Sequence, residues 1–145
     1  MSMVIPDIEA AVIAFLLDDQ DLADVVADRI YPELPAKVVY PCVTVRVISG
    51  RGASSPRWLE AATLSISGWG HHSAAGARRD ARDACEYAVA AMAGLANTTS
   101  LDAVICGPLA TLAHGGVPAQ VSPGVTNPRF ITDVSLTYHP APAGS

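Results

Sequence analysis

Few residues in this chain have the types and spacing that chemistry needs. His71-His72 is the most suggestive pair. Neighbours at a strand end point in different directions, so the two imidazoles make a poor chelate without further ligands. The companions would be His114 and a carboxylate, and no spacing requires either. The pair reads as a polar lead-in to a helix after Trp69-Gly70. Cys42, Cys85 and Cys106 are odd in number and form neither a CxxC nor a zinc spacing. They read as free, partly buried thiols of a reducing compartment, with no basic neighbours to activate them. Asp18, Asp19 and Asp21 lack the spacing of a calcium loop and suit helix capping in a solvated turn. Gly50-Arg51-Gly52 has no Lys-Ser/Thr and no helix start after it, so it is not a phosphate loop. Trp58 and Trp69 are read as packing or interface residues. The expectation is a protein without enzymatic activity, metal or cofactor.

Composition agrees with a binding or structural role. At 145 residues and 15.0 kDa the chain is one domain, able to bury a core without staples. Half of it is hydrophobic but only 6% is aromatic, so alanine carries much of the apolar content and favours close packing of elements. A net charge of −5 argues against general nucleic-acid binding, which needs a basic surface. Low charge content (16%) with a mean hydropathy of +0.31 points to surface buried by oligomerisation. No run approaches the roughly 18 apolar residues of a membrane span, and no basic segment precedes the first apolar run, so no signal peptide is expected. Synthesis and folding in a cytoplasm follow.

The elements that must position these residues can be read from periodicity. Pro6, Asp7 and Glu9 open a helix whose apolar face is Ile8, Val12, Phe15 and Leu16. Asp21 is the expected cap of a second short helix carrying Leu22, Val25 and Val26 and ending near Asp28. Residues 42–49 and 63–69 alternate as strands and should pair antiparallel across the turn-rich segment 50–56. Ser73 should cap a long helix over 74–93. Its buried stripe is Ala77, Ala81, Ala84, Cys85, Ala88 and Met92, and Arg79–Asp83 and Arg82–Glu86 are expected pairs on the outer face. Residues 104–113 form a strand interrupted at Gly107-Pro108, where an edge or bulge is expected. Residues 114–128 form a long loop without periodicity, and 129–138 the last strand. Residues 139–145 are a Pro/Ala-rich tail. Arg46 and Asp133 are charged residues inside strands. Either their faces are solvated, or one sheet face meets a neighbouring subunit. The fold class is α+β: a mainly antiparallel four-stranded sheet, a long helix packed on one face, and N-terminal helices. One domain spans 1–139, followed by a flexible tail at 140–145.

The Arg29-Ile30-Tyr31-Pro32 turn, the Tyr40-Pro41 strand start and the strand ending in Gly68-Trp69-Gly70 before an Ala/Arg-rich helix lie in a characteristic order. With the final strand and proline-rich tail, this order over roughly residues 5–139 resembles the tail terminator (tail completion) proteins of long-tailed phages. The resemblance implies a non-catalytic virion protein of the head–tail neck, assembled in the host cytoplasm as a homo-hexameric ring. Such a ring caps the tail tube, stops its polymerisation and offers a surface to a head-completion or connector protein. DNA passes through the channel without specific binding, which an acidic chain suits. A ring of this kind needs two different complementary surfaces per subunit. The hairpin tip with Arg51, Arg57 and Trp58 and the loop with Val117, Val121 and Val125 are the expected interface. Another neck connector or a tail tube protein shares this size and composition. A small α+β ligand-binding domain or enzyme is the alternative outside the virion.

Elemental analysis of the purified protein should find no stoichiometric zinc. Zinc that disappears in the His71→Ala/His72→Ala double variant would overturn this reading of the histidines.

Overall fold

The computed structural model describes residues 7–49, 60–111, 119–120 and 127–141. Helix α1 spans Ile8–Leu17, with Asp7 as N-cap accepting a hydrogen bond from the Ala10 amide at 3.1 Å. Helix α2 spans Gln20–Val26 and is capped by Asp19, whose carboxylate accepts from the Leu22 amide at 2.9 Å. The expected cap, Asp21, instead lies in the first turn. Starting at Gln20 puts Leu22 and Val26, four residues apart, on one buried face. Pro6 lies outside the described residues.

The four long strands of the sequence reading are all present: β2 (Cys42–Ser49), β3 (Glu60–Trp69), β5 (Ala103–Thr111) and β7 (Arg129–Pro140). The sheet is larger than four strands, however. Two-residue strands β1 (Ile30–Tyr31), β4 (Thr99–Ser100) and β6 (Ala119–Gln120) add to it. The order is β1-β2-β3-β7-β5-β4, with β6 pairing β7 off this path. All pairs are antiparallel except β1–β2, which is parallel. Strands of two residues leave too little alternation for a sequence pattern to register. β6 also means that the expected 114–128 loop contains a short strand, set against Phe130 and Ile131. β7 runs on through His139 and Pro140 against Val104 and Ala103, and the Ala141 amide donates to the Asp102 carbonyl. The start of the expected tail is therefore part of the sheet. The bulge expected at Gly107-Pro108 is present, as a register shift between Cys106 and Ala110.

Helix α3 spans Ala77–Met92 and buries Ala77, Ala81, Ala84, Cys85, Ala88 and Met92, the expected alanine stripe. It begins three residues later than expected. Gly76, in the left-handed region at φ 74°, holds the N-cap position with no side-chain cap, and the Ser73 hydroxyl turns to His71 instead. The expected pairs Arg79–Asp83 and Arg82–Glu86 do not form; Arg82 Nε lies 3.9 Å from its neighbour Asp83. Exposed pairs of this kind contribute little against side-chain entropy.

Helices α1, α2 and α3 lie on one side of the sheet, over Val43, Val45, Leu64, Ile66, Val134 and Leu136. Because α1 touches β1 and β2 near one edge and β4 at the other, the sheet curls around the helices. Two polar contacts seal the edges. The Val47 amide, beyond the reach of β1, donates to Glu9 Oε2 at 2.7 Å, and Ser100 Oγ donates to the Ala11 carbonyl at 2.6 Å.

Helix α3 approaches the end of β3 backbone to backbone. A methyl group on Gly68 would overlap the Ala81 carbonyl oxygen and come within 2.5 Å of the Cys85 amide nitrogen. One on Gly70 would overlap the Ala77 carbonyl. These neighbours are helix backbone, which cannot give way locally. Gly68→Ala and Ala84→Leu should each therefore destabilise by about 1–3 kcal/mol in urea unfolding. Ser73→Ala, which touches no cap, should stay within about 0.5 kcal/mol. A neutral Gly68→Ala would mean that α3 stands off the sheet.

Candidate functional site

The separate pieces of the sequence signature meet at one end of the sheet. The Val43 amide donates to the Arg29 carbonyl at 3.0 Å, which sets Ile30 beside Val43, and Arg29 Nε donates to the Pro41 carbonyl at 2.8 Å. The Arg29–Pro32 turn and the Tyr40-Pro41 strand start thus lock to each other; the Tyr40–Pro41 bond is cis. The Gly70 amide donates to the Pro128 carbonyl, binding the end of β3 to the start of β7. Asn127 ties the group together. Its Nδ2 donates to the Tyr40 hydroxyl at 2.9 Å, and its Oδ1 accepts from the His72 amide at 2.8 Å. His72 Nδ1 also lies 3.0 Å from Asn127 Oδ1. His71 stacks on His72, with centroids 4.6 Å apart, and meets Tyr40 edge-on at 5.6 Å.

Around Gly68-Trp69-Gly70 the strand alternation divides two tasks. The glycines face α3, and Trp69 faces the opposite side of the sheet, which carries no helix among the described residues. There the Arg129 guanidinium lies over the Trp69 ring, 4.7 Å from its centroid, and donates through Nε and Nη2 to Ser67 Oγ at 3.1 and 3.0 Å. Trp69 Nε1 donates to Thr44 Oγ1 at 3.0 Å. The contact holds the cation over the face of the indole. Burial lowers the Arg129 pKa from its ordinary value, and the nearby positive charge of Arg46 lowers it further. The same face carries Arg46, exposed on β2, and Asp133 on β7, each directly opposite Ser65 on β3. Ser65 is only 6% exposed, and its hydroxyl has no hydrogen-bond partner among the described residues.

Ser73 Oγ lies 2.7 Å from His71 Nδ1, but that nitrogen also accepts from the Ser73 amide at 3.2 Å, so the contact closes a turn. Among the described residues no third group orients the imidazole as a base would require. Burial pushes the Cys42 thiol from 9.0 up to about 11, against the lowering effect of Arg29. Burial likewise lifts Cys85 to about 11, against hydrogen bonds to Thr132 and the Gly68 backbone. Neither is an activated nucleophile at neutral pH. Among the described residues no group of three His, Cys, Asp or Glu side chains gathers as a metal site, and no helix is long and apolar enough to cross a membrane.

The six residues expected at an interface, Arg51, Arg57, Trp58, Val117, Val121 and Val125, lie outside the described residues. The Trp69–Arg129–Ser67 stack was not foreseen. The available signal was the pairing of two strand ends, since Trp69 and Arg129 become direct neighbours once β3 and β7 are aligned.

No protein-family profile matches the chain, and no curated protein sequence matches it. Among solved structures, it is similar to a chain from the virion of a native gene transfer agent (GTA) particle, with a TM-score of 0.63 and 19% identity. The alignment covers 90% of this chain and 93% of that one. At that identity the likeness shows a common fold.

The raised thiol values make an alkaline signature. Between 9.0 and about 11 the folded chain holds protons on Cys42 and Cys85 that the unfolded chain releases. The stability tied to these protons is intact below pH 9 and is lost as pH rises through about 11, which urea titrations across that window should record. A thiol reagent at pH 8 should label half-exposed Cys106 first and reach Cys42 and Cys85 only on unfolding. Equal labelling rates for all three would refute this account of the two buried thiols.

Proposed function

We propose that this chain is a structural subunit of a phage-like virion and that it acts there as a tail terminator. In this role it forms a closed six-fold ring, caps the tail tube, halts tube polymerisation and presents a docking surface to a head-completion or connector protein. The observation that carries the reading is the likeness of nearly the whole fold to a gene transfer agent virion chain. The sequence order of turn, strand start, Gly-Trp-Gly and alanine-rich helix supports the narrower role.

The site chemistry is of the kind such a role needs. A guanidinium–indole stack, a fixed amide and two suppressed thiols make contacts without turnover. The helix-free face, with Arg46, Trp69, Arg129 and Asp133, supports a contact with a neighbouring subunit or the tail tube. A net charge of −5 suits a channel through which DNA passes without being gripped. Arg51, Arg57, Trp58, Val117, Val121 and Val125 are proposed as further ring contacts, on their position between β2 and β3 and between β5 and β7.

Native mass spectrometry should find a closed oligomer of six copies, and the ring should arrest growth when added to polymerising tail tubes. Open-ended stacks would identify a tube subunit instead. A monomer that turns over a small molecule would point to an enzyme. Replacing residues 121–126 with a short Gly-Ser bridge, which spares β6, Asn127 and Pro128, should leave a folded subunit that no longer closes rings. Normal rings and normal tail lengths from that variant would remove the loop from the mechanism.

A further inference from the structure

The N-terminal half of α3 gathers three arginines on its surface. Arg78, Arg79 and Arg82 lie within the first six residues of the helix, at the end where the backbone dipole repels cations. With Gly76 and Phe130 they line an open concavity of about 510 Å³. Phe130 is 6% exposed and packs on Ala81 and Cys85, and the Arg78 guanidinium lies 5.9 Å from its ring centroid. Among the described residues the one carboxylate within 4.0 Å of these guanidinium groups is Asp83, at 3.9 Å from Arg82; Asp80 and Glu86 lie on the same helix without an ion pair to them. Removing three positive charges from a net charge of −5 leaves −8 on the rest of the chain, of which Asp80, Asp83 and Glu86 lie on α3 itself.

A matching surface lies elsewhere on the same molecule. The corner between α1 and α2 exposes Asp18, Asp21 and Asp24, with Leu17 beside them at 42% exposure. The two patches sit on different flanks of α3. Arg78 reaches toward Phe130 on β7, on one side of β3, while α2 packs beside α3 and leads into β1, beyond β2 on the other side. Among the described residues no ion pair joins α2 to α3. The two surfaces are therefore complementary in charge, separate in position and unable to satisfy each other within one subunit. A heterologous contact repeated around a ring has these requirements.

We propose that the Arg78–Arg79–Arg82 concavity receives the acidic α1–α2 corner of a second copy of this chain. The aspartates face the guanidinium groups across the boundary, and Leu17 lies toward the apolar floor that Phe130 provides. This inference rests on the ring reading and adds its contact geometry.

A charge-swap experiment on the full chain tests it. One variant carries Arg78→Glu and Arg82→Glu; the other carries Asp21→Lys and Asp24→Lys. All these positions except Asp24, which accepts from Gln20 at 3.3 Å, lack a structural hydrogen bond among the described residues, and circular dichroism checks that both variants fold. Each variant alone should associate about tenfold or more weakly than the original chain in low salt. Mixed in equal amounts they should assemble again, alternating around the ring, because each altered patch then meets its altered complement. Original-like assembly by either variant alone, or no recovery on mixing, would overturn this contact while leaving the ring reading intact. An original chain that stays monomeric at every concentration would overturn both. Loss of duplex-DNA binding in the arginine variant, with self-association unchanged, would assign the patch to phosphate and overturn the contact.

Discussion

The approach of helix α3 to the end of strand β3 constrains the rest of this fold. Backbone meets backbone there, with the Ala81 and Ala77 carbonyls lying where side chains of Gly68 and Gly70 would begin. Contact at that range requires glycine on the strand and alanine on the helix. It also requires that the residue between the glycines point the other way. Trp69 is thus placed on the helix-free face by the same alternation that admits the helix. What the site exposes and what the core packs are two results of one local pattern.

That pattern also fixes the end of the sheet. Trp69 lies opposite Arg129, and the Gly70 amide binds the Pro128 carbonyl, so the start of β7 is held where β3 stops. Asn127 then falls within reach of Tyr40 and His72. Tyr40 belongs to the segment that Arg29 holds through Pro41. Four segments far apart in sequence therefore share a few hydrogen bonds, each worth about 1 kcal/mol net. The histidine pair, the most suggestive chemistry in the sequence, finds its place here as packing and hydrogen bonding between turns.

Much of this was legible in the residues, and the limits have physical causes. Alternation in 42–49, 63–69 and 129–138 reports burial on one sheet face, and burial is what shapes a strand pattern, so those strands and their facing residues were readable. The alanine stripe of α3 was readable for the same reason. Helix caps were less so. Asp19 and Asp21 are equal in type, and the choice depends on which start buries Leu22 with Val26. Ser73 is a better cap than Gly76 by type. The chain nevertheless uses the left-handed conformation that glycine allows, and the serine hydroxyl bonds a histidine. The Trp69–Arg129 stack depends on register between strands sixty residues apart, which no local pattern carries. The residues expected at the interface lie outside the described residues, so the surfaces that carry the argument are ones the sequence hinted at only through Arg46, Asp133 and the arginines of α3.

Charge placement gives the last constraint. Of the nine lysines and arginines, five fall in two groups: Arg46 with Arg129 on the helix-free face, and Arg78, Arg79 and Arg82 on α3. Spread evenly, nine cations among fourteen carboxylates would give a mildly acidic surface with little orientation. With five of the nine gathered into two groups, the subunit has distinct positive sites on a chain of net negative charge. Like-charged surfaces repel within about a Debye length, roughly 8–10 Å at ordinary ionic strength. Two copies meeting acidic face to acidic face would separate, and the approaches that persist bring a positive patch to a negative one. Such a distribution selects orientation before any apolar contact forms.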